Sequence, residues 1–501
     1  MKFRPLNQKF VIILSCFFCL AFFLRFFQTG QPVFKEDENT TVSAAAYLYY
    51  CQQDSQNCYY QPETFRRKLT ALLTNNQTRP NLITPVYLWD WIKDQPSPIH
   101  YSRAWPHLFG LSFLYQHFGI SQFSSRIISV FSGSLLIIIG FAIARLINLS
   151  PLVAFIYSLI LVFSPHLITV SRNARMYSFF SLAFMLTIYC LLKWFKTKKN
   201  SVLIMSLFFF GLAYFLHSLA LIVPVSLLIF SLIQSVIKKR PFFAKIAVSL
   251  IVILLVITYL FFTHQLNIFP KSYLAISSQP HWSYLHLVFG GQLIAVFGFI
   301  IIFVSFKKIK SLTPAAFIAA LLIVDLLILV FFSNFSLGSA YVIHLLPLAY
   351  LLIIFCLKDQ PKLRLVFFAL VLLSLLANLK SLYLPPYDRP QLPAAYKEII
   401  NRIKPQDQVI GYLVRDYYLK DLPASVSISK LSKNQFSDLI PLINQSLLSE
   451  HNLFIIFEQE KTVYLNFEQL DFLNQKFIKI AGQGLDDYQV EIYARYNNHN
   501  D

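Results

Sequence analysis

Stretches of about 18 or more apolar residues recur through the first 384 residues of this chain. Each is long enough to cross, as a helix, a hydrocarbon layer of about 30 Å. Composition points the same way. Of 501 residues, 56% are hydrophobic and only 13% charged, and 50 Phe with 27 Tyr exceed what soluble cores of this size could hide. Mean hydropathy is +0.56. The length would otherwise suit about three soluble domains. The apolar runs exclude that arrangement and require a polytopic α-helical membrane protein.

Eleven spans are expected, at 10–29, 126–147, 151–169, 177–195, 201–216, 218–237, 246–263, 286–306, 313–333, 340–357 and 365–384. With the N-terminus in the cytoplasm, the cytoplasmic segments carry 18 basic residues, among them Lys2, Arg145, Lys193, Lys196, Lys198, Lys199 and Lys238. The short loops on the other face carry Arg172, Arg175 and Lys271. The positive-inside rule therefore predicts a cytoplasmic N-terminus and an extracytoplasmic C-terminus. Segment 103–119 is also apolar, but counting it as a span would put every later loop on the wrong side. Its Pro106, His107 and His117 suit a re-entrant or interfacial helix on the outer surface.

A net charge of +19 invites a nucleic-acid reading until it is divided along the chain. Residues 385–501 hold 12 basic and 15 acidic side chains, net −3, whereas residues 1–384 hold 31 and 9, net +22. The excess lies wholly on the membrane part, where topology explains it, and nucleic acid is not an expected partner.

Two hydrophilic pieces remain outside the membrane. One is the loop 30–125. The other is the tail 385–501, which follows the breaker-rich PPYDRPQLP and reads as a small α/β domain. Helices are expected near 394–404 and 434–449, and strands near 408–414 and 452–458, with further strands at 463–466, 477–481 and 489–495. Within the loop, 62–75 and 84–92 suit helices lying along the outer leaflet, the first basic at Arg66, Arg67 and Lys68, the second rich in Tyr and Trp. Cys16, Cys19, Cys190 and Cys356 fall in spans and behave as small apolar residues. Cys51 and Cys58 are candidates for a local disulfide, which their spacing alone does not prove.

Seven of the nine acids before residue 385 fall in the outer loop. Glu36, Asp37 and Glu38 follow the first span closely, at the depth of a lipid head. A carboxylate there is either a general base toward a hydroxyl or amine, or an ordinary hydrated turn. In DQPSPIHY, two prolines stiffen the chain after Asp94 and fix its direction, with His100 nearby. Asp325 lies within a span, which makes it a functional candidate or a hydrogen-bonded packing residue. In SPHLITVSRNARMYS, Arg172 and Arg175 break the positive-inside pattern. They are either snorkelling cations or forks for a phosphate. Lys271 is a weaker phosphate candidate, and His217, at an outer junction, is a ligand or a packed histidine.

The order of these features, a span, the Asp37-Glu38 pair, surface helices, Asp94 with Pro98, and Ser171-Arg172-Asn173-Ala174-Arg175-Met176-Tyr177 between two spans, resembles the GT-C superfamily of polyprenyl-phosphate-sugar-dependent glycosyltransferases. The protein O-mannosyltransferase and aminoarabinose transferase type is the most similar. The tail opening KPQDQVIGY also resembles the start of the soluble domain in that type. The resemblance implies Asp37 as general base with Glu38 its acidic neighbour, and Asp94 as a second loop acid that binds donor or metal. It also implies Arg172, Arg175 and Tyr177 at the donor phosphate. A divalent metal is implied as optional, with Asp37 and Asp94 its candidate ligands. Asn173 stands where many members carry Glu, and Ala340-Tyr341-Val342-Ile343-His344 lacks their Arg-Tyr pair.

The expected function is an inverting transfer of a sugar from a polyprenyl phosphate to a lipid, glycan or protein acceptor on the outer face of a bacterial plasma membrane. No nucleotide-binding glycine loop is present, and a lipid-phosphate leaving group needs none. A secondary transporter, or an inactive lipid-binding relative, are the rival readings.

Overall fold

A computed structural model describes residues 8–27, 38, 41, 42, 45, 104–238, 242–244, 246–251, 292–305, 313–332, 342–377, 396–397, 400–412, 425–431, 439–446, 452–460, 467–485 and 488–495. The chain divides into two compact units. One comprises Met1–Thr29, Pro98–His107 and Arg126–Leu384. The other comprises Gly30–Ser97, Leu108–Ser125 and Pro385–Asp501.

The first unit is a helical bundle. Its elements are α1 (Gln8–Phe26), the start of α2 (Trp105–Phe118), most of α3 (Gln122–Leu146), α4 (Pro151–Phe163), α5 (Pro165–Ser171), α6 (Tyr177–Thr197) and α7 (Asn200–Leu216). After a 3-10 turn at Ser218–Leu221 come α8 (Ile222–Lys238), α9 (Gln292–Val304), α10 (Thr313–Phe332), α11 (Leu346–Cys356) and α12 (Pro361–Ala377). Among the described residues, Gln122–Leu146, Tyr177–Thr197 and Ser218–Val236 are long and apolar enough to cross a membrane, and the bent pair α4–α5 makes a fourth. The outward faces are apolar as well. Ile204, Leu207 and Phe208 on α7 and Phe303 and Val304 on α9 are more than half exposed, a surface suited to lipid. At the centre, every residue of α11 is buried. Tyr157 of α4 donates its hydroxyl to the Pro347 carbonyl of α11 at 2.9 Å.

Local sequence explains the breaks. Two Ser-Pro steps start α4 and α5. Ser150 and Ser164 accept N-cap bonds from the Val153 and Leu167 amides, and a proline follows each at the first helical position. Residues 151–169, expected as one span, are therefore two helices bent by 54°. Pro165 cannot donate to the Leu161 carbonyl, so the helical ladder stops there. The α6–α7 turn closes on Lys198, which takes a left-handed conformation (φ 56°) and donates its N–H to the Trp194 carbonyl.

In the second unit the tail forms a five-stranded mixed sheet of order β2-β1-β3-β5-β4. The strands are β1 (Gln408–Tyr412), β2 (Ser427–Leu431), β3 (Leu453–Glu460), β4 (Ile478–Leu485) and β5 (Tyr488–Arg495). β1 runs parallel to β2 and β3, and β5 is antiparallel to β3 and β4. Asp407 ties the starts of β1 and β3, accepting from the Lys404 amide at 2.7 Å and the Asn452 amide at 3.3 Å. Four expected strands match β1, β3, β4 and β5; the run 463–466 lies outside the described residues. β2 (SISKL) and the helix Phe467–Lys476 were not anticipated, because their sequences are too polar to stand out.

Candidate functional site

The segment 172–176 is a tight turn between α5 and α6. Its start is fixed by backbone bonds. The Arg172 amide donates to the Ile168 and Thr169 carbonyls at 3.1 and 3.2 Å, and the Arg175 amide donates to the Asn173 carbonyl at 2.8 Å. Serines of three helices pin it. Ser129 of α3 donates to the Arg175 carbonyl at 2.8 Å, and Ser178 of α6 donates to Ser171 at the end of α5 at 3.3 Å. Gly133 lets α3 approach this closely. A Cβ there would overlap Ser171 Oγ and lie 2.9 Å from Ser171 Cβ and 3.3 Å from Arg25 Nε.

Arg25 was hidden by its place in an apolar span, and the structure brings it to the turn. It is wholly buried. Its Nη2 donates to the Leu161 carbonyl at 3.1 Å, and its Nη1 to Val162 at 3.3 Å and Ala21 at 3.2 Å. Leu161 is the carbonyl that Pro165 leaves without its helical donor. Arg25 thus caps the broken end of α4. Arg172 does the reciprocal job, donating Nη2 to the Leu24 carbonyl near the end of α1 at 2.7 Å. Two guanidiniums meet here beside helix C-termini, whose partial negative charge offsets their repulsion.

Tyr177 begins α6 and is buried, with the Arg175 guanidinium carbon 5.6 Å from its ring centroid. Its ring lies 6.0 Å from His217, at the end of α7. His217 accepts the Leu219 amide on Nδ1 at 3.2 Å, which caps the 3-10 turn and leaves Nε2 as the protonated nitrogen. The structure therefore gathers Arg172, Arg175, Tyr177 and His217 in one neighbourhood, together with Arg25 and His107. His107 is fully buried at the head of α2. Burial, and then the Arg175 guanidinium, hold its pKa down at about 3.

Phe180 carries the cluster inward. It packs on His217 at 5.3 Å and on His344 at 5.1 Å. His344 Nε2 and Asp325 Oδ2 are 2.7 Å apart and both residues are fully buried, so Asp325 is a hydrogen-bonded residue of the bundle. His344 stands in the stretch that lacks an Arg-Tyr pair, and no motif flagged it.

Glu38 is a buried helical residue of the second unit. Asp37, Asp94, His100, Lys271, Cys51 and Cys58 lie outside the described residues, as do the helices expected at 62–75 and 84–92. Among the described residues, no group of three His, Cys, Asp or Glu side chains could hold a metal ion.

A family model described as dolichyl-phosphate-mannose-protein mannosyltransferase matches residues 106–261, a segment that contains the arginine turn. Two solved structures of ArnT from Cupriavidus metallidurans share the fold. The one bound to undecaprenyl phosphate has a TM-score of 0.57 and the apo one 0.56, each at 12% identity and over 98% of both chains. No curated protein sequence matches the chain. The chain is thus similar to a mannosyltransferase family across the arginine turn, and it shares the fold of a membrane-embedded transferase, ArnT, along nearly its whole length.

Proposed function

We propose that the protein transfers a sugar from a polyprenyl phosphate to an acceptor hydroxyl or amine on the outer face of a bacterial plasma membrane, with inversion. One observation carries this reading: the turn bearing Arg172 and Arg175 sits at a proline-broken span inside the segment that matches the family model. The ArnT structure with undecaprenyl phosphate supports a polyprenyl phosphate as the lipid. Arg175, with Arg172 beside it, holds the donor phosphate. A planar guanidinium fork suits that group better than a lysine does. Tyr177 and His217 flank the same phosphate, with Lys271 and His100 as further donor contacts. The acceptor is a lipid, glycan or protein.

In the transfer, an acceptor oxygen or nitrogen attacks the anomeric carbon from the face opposite the phosphate. The bond from that carbon to the phosphate oxygen breaks, and its electron pair leaves with the polyprenyl phosphate. Asp37 takes the acceptor proton, with Glu38 and Asp94 as the neighbouring loop acids. If a divalent metal takes part, Asp37 and Asp94 are the residues that would hold it, and the metal would offset the leaving charge. Charge grows on the leaving phosphate, so a preorganised cation nearby, in a region poor in water, lowers the barrier.

The test is turnover of purified protein with a panel of labelled polyprenyl-phosphate sugars. Asp37→Asn keeps shape but accepts no proton, and should cut turnover by roughly 10²–10⁴-fold while sparing donor affinity. Wild-type turnover in that variant would move the base to Asp94.

A further inference from the structure

Polar atoms sealed from water ordinarily have partners, because an unmatched one costs desolvation free energy. His107 departs from this. It is fully buried, and neither ring nitrogen has a hydrogen-bond partner among the described residues. Two residues earlier, the buried indole Nε1 of Trp105 has none either. Both side chains are well packed otherwise. The imidazole lies 6.5 Å from the Phe179 ring of α6, and the Trp105 ring lies 5.5 Å from Phe215 of α7. Phe179 is two residues into α6 from Tyr177, and Phe215 is two residues before His217, so these contacts hold His107 and Trp105 beside the arginine turn.

The imidazole is neutral at ordinary pH, since burial and Arg175 hold its pKa near 3. A neutral imidazole presents one N–H donor and one lone pair. A sugar phosphate is complementary to that pair, because it offers an anionic oxygen and hydroxyl donors a few ångströms apart. A bare anion would satisfy only one side of the ring.

We propose that His107 is a further donor-binding residue, giving its N–H to a phosphate oxygen of the polyprenyl-phosphate sugar and accepting a sugar hydroxyl on its second nitrogen. This rests on the assignment of the 172–176 turn to the donor phosphate. The arginines carry the charge; His107 reads the junction between phosphate and sugar. Trp105 Nε1 is placed to serve the same ligand.

The test uses purified full-length protein with an undecaprenyl-phosphate-linked sugar as probe, read by titration and by thermal unfolding. His107→Phe keeps a ring against Phe179 and removes both nitrogens. It should melt higher than wild type without probe, since two unmatched polar atoms are gone. It should also bind the probe roughly 10–100-fold more weakly. His107→Gln keeps a donor and an acceptor and should retain most of the affinity. A histidine that only braced the fold, or only held a water, would give a lower melting temperature and unchanged affinity, and that result overturns the inference. If the larger ring prevents folding, His107→Leu makes the same comparison. Arg175→Ala separates the two levels. Weak binding there with wild-type binding in His107→Phe removes His107 alone. Wild-type binding in Arg175→Ala removes the phosphate site itself.

Discussion

A guanidinium inside a helical bundle persists only where something accepts its protons, and the arginines around the turn meet that demand differently. Arg25 gives both terminal nitrogens to carbonyls, and Arg172 gives one to Leu24. Arg175 is held at its carbonyl by Ser129, and its guanidinium carbon lies 5.6 Å from the Tyr177 ring centroid. Arg175→Ala should weaken polyprenyl-phosphate binding by roughly 10-fold or more, and Arg175→Lys should restore only part of it, because the charge returns without the fork. Unchanged affinity in the alanine variant, measured by titration, would take the assignment away. The Asp325–His344 pair poses a different question. Either single replacement, Asp325→Leu or His344→Leu, leaves a buried polar partner alone and should cost roughly 1–3 kcal/mol. The double replacement should recover much of that loss, since a buried pair exchanged for packed apolar groups is often close to neutral. Melting temperatures of the four proteins decide it, and simple additivity would mean that the pair is not coupled. Arg172 and Arg175 were legible in the sequence because they breach a charge pattern. Arg25 and His344 were not, because one looked like a span residue near its end and the other belonged to no motif.

Among the elements, the break between α4 and α5 shapes the site most. Pro165 removes one backbone donor, and the Leu161 carbonyl that loses it is taken by Arg25 from a helix far away in sequence. The two features should therefore depend on each other. Arg25→Leu alone leaves the Leu161 and Val162 carbonyls in an apolar interior, at a cost of roughly 2 kcal/mol or more. In a Pro165→Ala background the alanine amide can reach Leu161, so the same Arg25→Leu replacement should cost measurably less. A thermal-stability cycle over these two positions tests this, and an equal cost in both backgrounds would refute the capping role. A Ser-Pro step is visible in the sequence and predicts a helix start. That this start also ends the preceding helix with a 54° bend, and calls on a distant arginine, depends on packing that no local pattern encodes.

For the molecule as a whole, apolar run length made the bundle legible, since 18 or so apolar residues have few alternatives to a membrane helix. The tail was legible only where its strands were strongly apolar, as in β1 and β3, and not in β2. The charge pattern has a counterpart in the bundle itself. α6 has 21 residues and so is about 30 Å long. At its far end Lys196 reaches the Leu146 carbonyl at the end of α3, and also Asn148 Oδ1 at 3.2 Å. At its near end, Ser129 of α3 binds the Arg175 carbonyl at 2.8 Å. The lysine cluster 193–199 and the arginine turn thus lie at opposite ends of two co-aligned helices. If the lysine end faces the cytoplasm, as the positive-inside rule requires, the arginine turn faces outward, where a flipped lipid-linked sugar can reach it. Reporter fusions check both the parity and the direction. A fusion after Lys199 should be active only in the cytoplasm, and one after Asp501 only outside it. Same-side results would mean an even number of crossings between residues 200 and 501. Opposite sides in the reverse sense would make 103–119 a true span, put the arginine turn in the cytoplasm, and overturn an outer-face transferase.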